Sequence, residues 1–146
     1  MLRLLSALLV VLALAACGKS AEDRYRSDYP PLNRDLAALG EDVAASLRGA
    51  GRSDNRALAR EFGGYADRLG ELRDRLDDLD PPGSVKQDHA RLASAAGATE
   101  RALGDVASAA RAGDAAAARA AATRLVRSGQ DLDTARRKLA NSAIFH

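Results

Sequence analysis

Seven side chains, Leu58, Phe62, Tyr65, Leu69, Leu72, Leu76 and Leu79, recur at intervals that alternate strictly between four and three. A strand repeats every second residue, whereas this spacing places all seven on one face of a helix. A stripe that keeps a period near 3.5 needs a second helix to cover it. The segment from the Ser53 or Asp54 cap to Pro81-Pro82-Gly83 therefore reads as one long helix that cannot stand alone, and the prolines end it.

Three further segments supply partners. Val85, His89, Leu92, Ala96, Thr99, Leu103, Val106 and Ala110 repeat the same alternation behind Ser84-Val85-Lys86-Gln87, which has a capping-box pattern. Leu32, Leu36, Leu39, Val43 and Leu47 mark an earlier helix that Gly49-Ala50-Gly51 closes. After Gly113-Asp114 comes a thinner seam of Ala118, Ala122, Leu125, Leu132, Ala135 and Leu139. The expected fold is all-α, an antiparallel up-down-up-down four-helix bundle over 29–146, with helices at about 29–48, 54–80, 84–112 and 114–143. Composition agrees: aromatics are 3% of the chain and 33 of 146 residues are Ala, which disfavours a sheet. Gly63-Gly64 and Gly70 each cost a helix about 1 kcal/mol relative to Ala. They mark either a close helix approach or a kink that opens a small cavity beside Phe62 and Tyr65.

Ahead of the bundle, one positive charge at Arg3 precedes an apolar run from Leu4 to Ala16 that only Ser6 interrupts. A membrane-spanning helix needs roughly 20 apolar residues, so this shorter run reads as a signal peptide. Its end, Leu14-Ala15-Ala16-Cys17, resembles the lipobox of bacterial lipoproteins. That resemblance implies cleavage between Ala16 and Cys17 and, on the Cys17 thiol and new amino group, a diacylglyceryl and an N-acyl chain. Two or more acyl chains hold a protein stably on a bilayer where one does not. The expected organisation is signal peptide 1–16, lipidated Cys17 with a polar tether over 17–28, then the bundle. The expected place is the extracytoplasmic face of the cell membrane. Gly18 stands where the common inner-membrane retention signal has Asp, which leaves an outer membrane open as the destination in a cell that has one. Leu76-Asp77-Asp78-Leu79-Asp80-Pro81-Pro82, with His89 and Leu92 downstream and Ala112-Gly113-Asp114 beyond, is similar to uncharacterised helical lipoproteins of high-GC bacteria. The 19 Arg against 3 Lys fit that likeness, which implies fold and location but no activity.

The residues give no sign of an enzyme. A di-iron bundle needs Glu-x-x-His pairs, and Lys86 stands three before His89. Haem ligation lacks a second internal ligand, zinc spacings and a calcium-loop pattern are absent, and the lone Cys is the one in the lipobox. No catalytic residue, metal or other cofactor is therefore expected. Without residues 1–16 the side chains carry 21 positive and 20 negative charges (22 minus Arg3, against 20); a nucleic-acid partner is not expected. The expected role is structural or interactive: a membrane contact through the lipid and a partner protein of the envelope. The alternative is a bundle that binds an apolar small molecule or lipid within the thin Ala-rich core of its last two helices.

His89 is the one candidate polar site, an interior His on a seam, read as a hydrogen-bonded register residue or as a ligand or pH-sensing group. The pole that holds it also gathers Asp74, Asp77, Asp78 and Asp80, which Arg136, Arg137 and Lys138 are expected to offset. A first helix starting near Tyr29 is too short to cover Leu79, Val85, His89 and Leu139. Tyr25 and Tyr29 of the tether, Ile144 and Phe145, or a partner must then close that end.

Overall fold

The computed structural model describes residues 20–146; the signal segment, the Ala16–Cys17 bond and Cys17 itself lie outside the described residues. Four helices, α1 (Ala21–Gly49), α2 (Asn55–Asp77), α3 (Lys86–Ala112) and α4 (Ala115–Ala140), form an all-α bundle, with single 3-10 turns at Ala50–Arg52 and Ala143–Phe145. α3 packs most extensively on α2 and α4, and α1 closes the square against α2 and α4. Short connections between consecutive helices make the neighbours antiparallel.

The largest departure from the sequence reading is the start of α1. It begins at Ala21 and continues through Pro30 and Pro31 as the longest helix, 29 residues. No tether extends to residue 28. Local preference argued for a break there, because each proline removes a backbone donor and disfavours helical geometry in the residue before it. Two things outweigh that preference. Ser20 caps the helix, its hydroxyl accepting from the Asp23 N–H at 3.0 Å while the Asp23 carboxylate accepts from the Ser20 N–H at 3.3 Å, a capping box. Tyr25 and Tyr29 are buried in the core at 2% and 1% exposure, so the extra turns are held by tertiary packing rather than by propensity.

The leucine seams lie where the spacing put them, but at the start of α4 Ala121 is buried in place of the expected Ala118 and Ala122, which are half-buried. Leu32, Leu36 and Leu39 of α1, Phe62, Leu69, Leu72 and Leu76 of α2, and Leu125, Leu132 and Leu139 of α4 are buried. In α3 the whole predicted stripe from Val85 to Ala110 is buried, with Gly97, Ala102, Ala107 and Ala109 besides. Such small side chains let α3 approach α2 and α4 closely and bury a wider arc than one stripe. Gly70 is one point of close approach: a Cβ there would stand 3.3 Å from the Glu100 carboxylate, which Arg73 of α2 holds. Phe62 is fully buried, ring-edge on to Tyr65 at 5.8 Å, so no cavity opens beside it; of the three glycines Gly70 alone marks a close approach, since a Cβ on Gly63 or Gly64 would meet nothing within 4 Å.

Helix ends follow side-chain chemistry with one exception. Asp54 caps α2 through the Ala57 N–H, and Asp114 caps α4 through the N–H groups of Ala116 and Ala117. Gly113, at φ 69°, supplies the left-handed stop of α3. The capping box expected at Ser84 does not form. Val85 occupies the cap position without a side-chain hydrogen bond, and its burial at 2% fixes the chain's entry into α3 instead.

Candidate functional site

One pole of the bundle gathers the start of α1, the end of α2, the start of α3 and the end of α4. Tyr25 and Tyr29, one turn apart on α1, stack with ring centroids 5.6 Å apart and planes within 5°. Phe145 covers both, at 6.2 and 5.4 Å. The cover expected from Tyr25, Tyr29, Ile144 and Phe145 thus exists, but its tyrosines belong to a helix.

His89 sits beneath this cover at 7% exposure, its Nδ1 2.8 Å from the Tyr25 hydroxyl. Burial, with the neighbouring Tyr29, pushes the Tyr25 phenol up. Burial pulls the His89 imidazole below its ordinary value, against the opposing pull of the Asp77 carboxylate. The phenol is therefore protonated and the imidazole neutral, and donation from Tyr O–H to Nδ1 satisfies both. Tyr29, whose phenol is also raised by burial against the pull of Arg136, donates to the Arg136 carbonyl at 3.2 Å. The two tyrosines thus tie α1 to α3 and α4.

A pH dependence follows. The unfolded chain protonates this imidazole near its ordinary value of about 6.5, while the folded chain resists. Below that value the unfolded state binds the extra proton, so stability is lost as pH falls from about 6.5 toward the lower folded value. Between pH 7.5 and 5.5 the melting temperature is expected to fall, and to fall less in His89→Gln, whose amide oxygen can accept from Tyr25. His146 is present in both proteins, so their difference reports His89. An equal slope in both would show that His89 does not set it.

Around the pole the ion pairs differ from expectation. Arg136 and Arg137 both bind Asp133, each at 2.6 Å, and Lys138 binds Asp88 at 2.8 Å. These cations are occupied within α4 and with α3, and Asp77, Asp78 and Asp80 form no ion pair among the described residues. Partial burial raises the Asp133 carboxyl, but the two arginines hydrogen-bonded to it bring it below the usual carboxylate range. Arg136 also donates to Asn33 of α1 at 3.2 Å, which makes it a clasp between the first and last helices.

A cleft of about 430 Å³ opens beyond that clasp between α1 and α4. Leu36, Leu39, Val43 and Leu47 form one wall, Leu125 and Val126 line the other, and Leu103 lies at the base. Gly40 and Gly129 leave the space between the helices unfilled; a Cβ on either would touch nothing within 4 Å. Among the described residues, Val126 is the exposed large hydrophobic side chain, at 48%. The apolar opening lies between α1 and α4, with Thr99 and Leu103 of α3 at its base, rather than within the Ala-rich core of the last two helices alone.

Among the described residues no three His, Cys, Asp or Glu side chains are grouped to hold a metal ion. No described helix is long and apolar enough to cross a membrane. The chain matches no protein-family model, no curated protein and no solved structure. Site arguments therefore rest on this chain's own geometry. The aromatic pole, the Tyr25–His89 bond and the α1–α4 cleft are its distinguishing features.

Proposed function

We propose that this chain is a non-enzymatic, lipid-anchored protein on the extracytoplasmic face of the cell membrane, with a structural or protein-interaction role in the envelope. The observation that carries this reading is the position of Cys17. It closes the Leu14-Ala15-Ala16-Cys17 motif, it is the lone cysteine, and it stands three residues before Ser20, the cap of α1. A lipid on Cys17 would hold the Tyr25–His89 pole close to the bilayer, and the firmly packed start of α1 would transmit that position to the whole bundle. Metabolic labelling with palmitate tests the reading: the wild-type chain takes up label and partitions with membranes, and Cys17→Ala does neither. Equal labelling of the two proteins would refute the anchor.

The α1–α4 cleft favours a second reading, in which the anchored bundle holds an apolar small molecule or one chain of a lipid. Its volume lies within the roughly 300–1,000 Å³ of small-molecule sites, and its walls are mostly aliphatic. Native mass spectrometry of protein from its own host, comparing wild type with a Gly40→Leu/Gly129→Leu variant that fills the cleft, separates the two readings. A copurifying ligand lost in the variant supports the second; no ligand in either leaves the first.

A further inference from the structure

The charges that cancel along the sequence are unevenly paired in the fold. Arg48, Arg52, Arg56, Arg60, Arg111 and Arg119 lie around the pole opposite the aromatic one, where α1 and α3 end and α2 and α4 begin. None of the six pairs with a carboxylate among the described residues, whereas seven arginines nearer the middle and the aromatic pole do. The acids at the arginine pole are engaged elsewhere. Asp54 and Asp114 cap α2 and α4, Glu61 accepts from Ser46 and Tyr65, and Asp105 binds Arg124.

Three of these arginines share a cleft. Between the first turns of α2 and the end of α3 a space of about 470 Å³ is lined by Asn55, Arg56, Arg60 and Arg111, with the buried Ala59 and Ala110 at its floor. Arg56 and Arg60 are one turn apart on one face of α2. Arg56 stands in the first turn, which holds no acidic residue, where the helix dipole disfavours a cation.

We propose that this cleft binds a phosphate group, free or esterified in a polymer. Guanidinium forks recognise phosphate and carboxylate alike, and the direction of the acceptors decides between them. The lone pairs of a carboxylate lie in one plane, whereas a tetrahedral phosphate presents oxygens in several directions to guanidiniums that come from two helices, Arg56 and Arg60 of α2 and Arg111 of α3. α3 spans roughly 40 Å from pole to pole, so in the anchored arrangement proposed above the cleft faces away from the anchoring bilayer. The site itself does not depend on that arrangement.

The test uses the full-length chain in detergent, with fluorescent long-chain polyphosphate as probe, inorganic phosphate as competitor and poly-L-glutamate as the carboxylate comparison. Polyphosphate is expected to bind, with affinity falling as salt rises. Arg56→Gln/Arg60→Gln/Arg111→Gln is expected to weaken binding on the order of tenfold or more. Arg34→Gln/Arg101→Gln/Arg127→Gln, which removes the same charge from other exposed positions, is expected to change it by about twofold at most. Displacement by inorganic phosphate would identify a single-phosphate site, and its failure a site for the polymer; either supports the proposal. No binding, equal losses in the two triple variants, or poly-L-glutamate binding as tightly as polyphosphate would overturn it. All six arginines are exposed, and unchanged circular dichroism melts confirm that the variants fold.

Discussion

Phe62→Ala is expected to cost about 3–5 kcal/mol, the range for emptying an aromatic site in a packed core. The ring is fully buried and makes an edge-to-face contact with Tyr65, so truncation removes both buried area and an aromatic pair worth about 0.5–1.5 kcal/mol. Domains of this size are stable by roughly 5–15 kcal/mol in total, so the variant should melt on the order of 10–20 °C lower. Urea unfolding of both proteins measures the difference directly. A loss below about 1 kcal/mol would mean that the site collapses around the missing ring and that Phe62 does not organise the core.

The second large effect is local. In Tyr25→Ala/Tyr29→Ala, the backbone amides from Asp23 to Tyr29 should lose nearly all hydrogen-exchange protection, while those around Leu69 and Leu103 keep most of theirs. The reason lies in the prolines. Without N–H groups on Pro30 and Pro31, the carbonyls of Arg26 and Ser27 have no partner four residues on, so the turns before them join the rest of α1 by a weakened ladder. Three ring contacts, to His89 and Phe145, and two phenol hydrogen bonds, to α3 and α4, compensate. Removing the rings removes the stacking, the Tyr25–His89 bond and the tie to the Arg136 carbonyl together. The segment then behaves as a separate, low-stability opening unit. Protection lost equally across all four helices would show instead that the aromatic pole belongs to the global cooperative core.

Both effects mark where sequence reading succeeds and where it stops. The stripe from Leu58 to Leu79 and the one from Val85 to Ala110 were legible because one residue's burial there repeats in the next turn, and periodicity reports burial. Asp54, Gly113 and Asp114 were legible because capping and left-handed geometry are decided by a few adjacent residues. The start of α1 was not. Pro30-Pro31 is a strong local signal for a boundary, and the contacts that override it come from His89, Arg136 and Phe145, distant in the chain. A local sign was present all the same: Ser20 and Asp23 have capping-box spacing, and Tyr25, Tyr29, Leu32 and Leu36 continue the α1 seam backward at helical intervals. The Ser84 cap failed for the opposite reason, since a matching local pattern lost to the burial of Val85.

The functional sites divide in the same way. His89 was identifiable as an interior polar residue, but its partner Tyr25 lies 64 positions away. The α1–α4 cleft depends on Gly40 and Gly129 facing the same space, and the arginine cleft on α2 and α3 meeting at one pole. Neither juxtaposition is written in any one segment. Net charge was in fact misleading for the second, because a near-zero sum conceals six arginines at one end that pair with no carboxylate among the described residues.

The proposed role turns on Cys17. Intact mass of the protein extracted from the membranes of its own host, with fragmentation of its N-terminal peptide, tests it. Lipidation predicts a chain that begins at Cys17 and carries the added mass of a diacylglyceryl group on that residue. A chain that retains residues 1–16, or one that begins elsewhere with an unmodified Cys17, would contradict it.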